Sequence, residues 1–159
     1  MTPKTLLLNV GTDGTVAAVE FQQLPRFGIY VMWDGADVIR VGECSSGESR
    51  LKKGFRDPLR RVVRGKDRKN YIAYSWRSKY SGRTVNVDYF ELTDPRLSDN
   101  YLRRALEAEV TFQFRIAAKR WPREMSEIHF LERFRHDPLL IKTATALLAH
   151  YGLTYDAAV

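Results

Sequence analysis

The chain has 159 residues, 44% hydrophobic and 12% aromatic, which suits one globular domain with its own core and excludes a disordered polypeptide. Its net charge is +7, and its single cysteine, Cys44, excludes an internal disulfide and any zinc site built on several thiolates. The longest apolar runs are too short for a bilayer and the N-terminal stretch has no long apolar segment, so the expectation is a cytoplasmic protein without a membrane span or secretory signal.

Residues 4–10 and 15–21 read as short strands around Gly11-Thr12-Asp13-Gly14, a hairpin-type turn. After Pro25, residues 27–33 and 38–42 read as a second pair of strands, joined through Asp34-Gly35-Ala36-Asp37. Ser45-Ser46-Gly47-Glu48 matches a capping box and predicts a short helix ending near Gly54. Asp57-Pro58 predicts a second helix, with Gly65 as its stop. Residues 71–76 and 84–92 are rich in β-formers and predict a hairpin around Tyr80-Ser81-Gly82-Arg83. Asp94-Pro95 breaks the chain, and Ser98 or Asp99 caps a long helix running to about Arg120. Residues 127–130 predict a short strand or extended link, and Asp137-Pro138 opens a last helix that ends at Gly152. Nothing in this order demands a doubly wound parallel sheet. The expected fold is α/β of the α+β type, a small and mostly antiparallel sheet flanked by helices, in a single domain over residues 1–159.

The charge is concentrated. Residues 50–69 carry Arg50, Lys52, Lys53, Arg56, Arg60, Arg61, Arg64, Lys66, Arg68 and Lys69 against two acids, Asp57 and Asp67. That window alone is +8, so the rest of the chain is close to neutral. Like charges so close repel, and a phosphate backbone is the partner that most commonly offsets the repulsion. Leu51, Phe55, Leu59, Val62 and Val63 interleave the block and place it on folded structure. Nucleic acid, DNA or RNA, is the expected partner. A membrane surface is disfavoured, because no long amphipathic helix accompanies the charge.

Four features follow one another in a telling order. Gly28-Ile29-Tyr30 stands in one strand and Ile39-Arg40-Val41-Gly42 in the next. Arg50 follows Gly42 by eight residues, in the capped helix, and an acid stands in the long helix. In this order residues 26–122 resemble the GIY-YIG nucleases, with N-terminal strands (1–25) and a C-terminal extension with a helix (123–159) added to that core. The resemblance implies a metal-dependent DNA endonuclease that hydrolyses phosphodiester bonds with Mg²⁺, or another divalent cation such as Mn²⁺. It implies Tyr30, Arg40, Arg50 and an acid as site residues. One departure matters: Arg40 stands where the second motif usually has a tyrosine. A guanidinium stays protonated and cannot act as a general base, so the expected role of Arg40 is to bind the scissile phosphate. The same departure motivates the alternative of a catalytically impaired nucleic-acid-binding module.

The acid is argued from the helical period. Leu102, Ala105, Leu106, Phe112, Ile116 and Ala117 form one stripe, and Glu109 falls inside it. A carboxylate aimed at an apolar face is costly unless it is paired or binds a cation, so Glu109 is the expected metal ligand. Glu107 falls on the opposite side and is the second candidate. In the physical scheme, a cation on Glu109 polarises the phosphate, Arg50 stabilises the developing charge, and Tyr30 orients water. Tyr30 and Arg40 share a strand face only if the connecting loop has three residues or a bulge intervenes. His129, in an extended apolar segment, reads as a hydrogen-bonded residue before a ligand.

Overall fold

The computed structural model describes residues 1–12, 16–18, 24–45 and 79–155. The two helices expected within residues 46–65, the strand at 71–76 and the whole basic block lie outside the described residues, Arg50 included.

Among the described residues five strands form one antiparallel sheet: β1 (Lys4–Val10), β2 (Val16–Ala18), β3 (Gly28–Asp34), β4 (Asp37–Cys44) and β5 (Thr84–Glu91). Their spatial order is β2-β1-β5-β3-β4, so among the described residues β4 is an edge strand. β5 is central, pairing with β1 on one side and with β3 on the other. Residues 80–83 form its entry turn, closed by the Arg83 amide on the Tyr80 carbonyl at 3.0 Å.

The alternating pattern divides the sheet into two faces. Leu6, Leu8, Tyr30, Met32, Val85, Val87 and Tyr89 are buried on one face. Ile29, Val31 and Phe90 are buried on the other, where they meet Leu106, Val110 and Phe114 of α1 (Asn100–Ala118). The second helix, α2 (Pro138–Leu148), lays Leu140, Ala144 and Leu147 into the same cluster. The architecture is therefore the expected α+β type.

Both helices start where capping residues predict. Asp99 accepts hydrogen bonds from the Tyr101 and Leu102 amides at 2.7 and 2.9 Å, and Asp137 accepts from the Leu139 amide at 2.9 Å ahead of Pro138. α1 ends on Lys119 in the left-handed region, and a turn of 3-10 helix extends α2 to Gly152, whose φ is 66°. Residues 127–130 form an extended link rather than a strand. Among the described residues no helix is long and apolar enough to cross a membrane.

The turn between β3 and β4 is clamped by charge. Asp37 accepts from Arg120 at 2.6 Å and from Arg123, and Asp34 accepts from Arg83 at 2.9 Å. The hydrogen bond from Arg123 is the main force holding the Asp37 carboxyl below its ordinary value of 3.8. A group with a lowered folded-state pKa favours folding above the ordinary value and loses that contribution as the pH falls through the lowered one. These pairs should therefore persist through mildly acidic solution. An NMR titration of the Asp37 carboxyl carbon should show a midpoint below 3.8.

Candidate active site

The β3–β4 hairpin decides which motif residues meet. Its loop has two residues, Gly35 and Ala36, between Asp34 and Asp37, which pair. Gly35 takes φ 62°, as a two-residue hairpin with glycine first requires. That loop alone would put Tyr30 and Arg40 on opposite faces. A bulge corrects this: Trp33 pairs with Val38 and Met32 with Arg40, which leaves Ile39 as the extra residue. Tyr30 then pairs with Gly42, and Tyr30, Met32 and Arg40 share a face.

The motif glycines serve as seats for tyrosine rings. A Cβ built on Gly42 would lie 2.2 Å from Cζ and Oη of Tyr30, and one on Gly28 would lie 2.2 Å from Cζ of Tyr89. Each ring thus crosses the neighbouring strand in the space left by a missing side chain. The Tyr89 hydroxyl donates to the Pro25 carbonyl at 2.8 Å, and burial pushes its pKa up. Tyr30 is 2% exposed, so its ring is a packing element of the sheet. Gly42→Ala should cost about 1–3 kcal/mol, as overpacking of a dense core does. Urea denaturation checks this, and adding Tyr30→Leu to Gly42→Ala should recover part of the loss by clearing the ring.

Arg40 is half-buried on the edge strand, at a cavity of about 340 Å³. The other walls come from α1 (Arg104, Glu107 and Thr111) and from residues 124–129. The outward backbone groups of β4 are capped at this edge. The carbonyls of Val38 and Ile39 accept the Arg123 and Glu124 amides at 3.0 and 2.9 Å, and the Val41 amide points to Sδ of Met125 at 3.3 Å. The Glu43 amide donates to Oε2 of Glu107 at 3.3 Å. Glu107 is thereby seated beside the edge strand and within the cavity that Arg40 lines.

Arg103 steadies this corner. It is 2% exposed, and its Nε donates to Oε2 of Glu43 at 3.2 Å. Its Nη1 donates to the carbonyls of Leu97 and Ser98 at 3.0 and 2.6 Å, and its guanidinium lies 4.6 Å from the Phe27 ring centroid. At the other end of the cavity, Lys79 donates to both Glu124 oxygens at 2.9 and 2.8 Å, which raises the Lys79 pKa. His129, on the cavity wall, is 76% exposed and pairs with Glu127 at 3.1 Å.

Glu109 sits elsewhere. It is 7% exposed and accepts from Nε2 of Gln113 at 2.7 Å. Gln113 also donates to the Ile141 carbonyl at 3.2 Å and accepts from Thr145 at 3.0 Å, both on α2. Glu109 thus belongs to the seam between the two helices. On the side of α1 that carries Glu107, Arg103 and Thr111 are both buried.

Arg40 and Glu107 both line the cavity at the edge of β4. The structure separates Tyr30 from Glu109, which lie on opposite sides of the sheet. The expected meeting of Tyr30 and Glu109 in one pocket does not occur, because α1 is buried against the sheet on one flank and α2 on another. Glu109's buried position is explained by the second contact. Glu107 lines the cavity between β4 and α1, whereas Glu109 is hydrogen-bonded to Gln113 in the seam with α2. Among the described residues no group of three or more His, Cys, Asp or Glu side chains gathers as a metal site. No family model, curated protein or solved structure matches the chain.

Proposed function

We propose that the protein is a metal-dependent endonuclease acting on DNA, with its reaction centre in the cavity between β4 and α1. The observation that carries this reading is that Arg40, from the second strand motif, and Glu107, from the long helix, line one cavity at the sheet edge. The resemblance of the motif order to GIY-YIG nucleases supports it, as does the +8 stripe of residues 50–69 that follows β4 in the chain.

In this reading Glu107 replaces Glu109 as the residue that would hold Mg²⁺ or Mn²⁺. A bound cation supplies positive charge to the phosphate and the leaving oxygen and acidifies water. Arg40 binds the scissile phosphate through its fixed, always charged fork. Arg104 presents a second guanidinium to the same cavity. Arg50 keeps the role of stabilising developing charge, on the strength of the resemblance alone. Tyr30 loses its role in water activation, because its phenol is packed over Gly42. The basic stripe supplies phosphate contacts that position the strand without reading sequence.

A second reading is a nucleic-acid-binding module with impaired catalysis, which the seating of Tyr30 favours together with the inability of Arg40 to accept a proton. Both readings expect DNA binding that weakens steeply with salt. Supercoiled plasmid separates them. The nuclease reading expects nicked circles with Mg²⁺, none with EDTA, and a large loss of rate in Arg40→Met. Salt-sensitive binding with no nicking in Mg²⁺ or Mn²⁺ would leave the binding module. An RNA of equal length, offered in competition, tests whether DNA is the preferred partner.

A further inference from the structure

A second cavity, of about 400 Å³, opens on the helix-covered side of the molecule, away from the Arg40–Glu107 cavity. Trp33, Phe114, Tyr151 and His150 contribute aromatic walls, and Asp88 of the central strand β5 contributes the acid. Asp88 is 2% exposed. Its Oδ1 accepts from Oγ1 of Thr5 at 2.6 Å, and its Oδ2 accepts from Nε1 of Trp33 and Oη of Tyr151, each at 2.8 Å. All three donors are neutral. Among the described residues no Lys, Arg or His forms an ion pair with it. Hydrogen bonds stabilise a buried carboxylate, but they do not cancel its charge.

We propose that this cavity binds an organic ammonium ion. A carboxylate repels phosphates and other anions, which excludes those ligands. A carboxylate has about four lone-pair positions, and three donors occupy Asp88 already. One more N–H fits, whereas the paired N–H edge of a guanine does not. Aromatic walls around a negative floor are the surroundings that organic cations prefer, through attraction to ring faces that water does not match. Arg120, at the rim, does not oppose the ligand's charge, because it is paired with Asp37 at 2.6 Å and donates to the Ala36 carbonyl at 3.2 Å. This site is independent of the nuclease reading and stands if that reading fails.

The test uses the full chain and two probes of the same shape, benzylammonium and neutral benzyl alcohol, at mildly alkaline pH where histidine is neutral. Benzylammonium should raise the unfolding temperature and change the tryptophan fluorescence saturably, while benzyl alcohol should do neither. Asp88→Asn should weaken benzylammonium binding about tenfold or more. Should that variant fail to fold, Ala118→Leu keeps Asp88, fills the cavity from the end of α1 and should abolish the response. Equal responses to both probes, no response to benzylammonium, or saturable binding that survives Ala118→Leu would each overturn the proposal.

Discussion

Arg103→Ala should destabilise the protein by about 3–5 kcal/mol, because it removes one partner of a buried ion pair and leaves the other in place. Arg103 is 2% exposed and Glu43 is 14% exposed, so solvent screens the pair little. The guanidinium does three things at once. It balances the Glu43 carboxylate, satisfies the carbonyls of Leu97 and Ser98, and packs on the Phe27 ring. Alanine leaves Glu43 charged beside the helix, strips both carbonyls of their donor and opens a void against Phe27. Urea denaturation should show a lower midpoint with an unchanged slope. Arg103→Met with Glu43→Gln should recover much of the loss, since removing both charges relieves the desolvation penalty. A double variant as unstable as Arg103→Ala would mean that the carbonyl contacts, and not the pair, dominate.

Much of this fold can be read from local chemistry. Asp99 and Asp137 cap the helices they were expected to cap, and Gly35, Gly82 and Gly152 turn the chain with positive φ where turns were placed. The bulge at Ile39 is invisible in sequence, because inserting one residue into a strand of β-formers leaves no compositional mark, yet it decides which face Arg40 takes. Arg103, in the first turns of α1, is almost fully buried, which local sequence does not signal. The partners of Asp88, Trp33 and Tyr151, are distant in sequence, so its burial is not legible locally.

The helical period leaves open which neighbour each flank of α1 meets. A single hydrophobic stripe assumes one buried flank, whereas α1 has three. Leu106, Val110 and Phe114 join the cluster on the sheet, Glu109 and Gln113 belong to the seam with α2, and Glu107 stands beside β4. Phe112 and Ile116, counted in the stripe, are not in the core, and Ile116 is 48% exposed. The periodicity was sound as a helix signal and insufficient to say which neighbour each flank meets. Contacts between elements distant in sequence supply that information.

The second large effect follows from this assignment. Glu107→Gln keeps the size of the side chain and an oxygen able to accept from the Glu43 amide, while removing the negative charge that would hold a cation. Loss of a group that stabilises charge in a reaction centre costs about a hundredfold or more in rate. Glu109→Gln changes a side chain that is hydrogen-bonded to Gln113 in the helix seam, so its consequence should be confined to stability. Mg²⁺-dependent plasmid nicking by Glu107→Gln and Glu109→Gln, run beside the unaltered protein after both variants are shown to be folded, is the most direct test. The cavity between β4 and α1 predicts nicking lost in the first and kept in the second. Nicking kept in Glu107→Gln and lost in folded Glu109→Gln would contradict it.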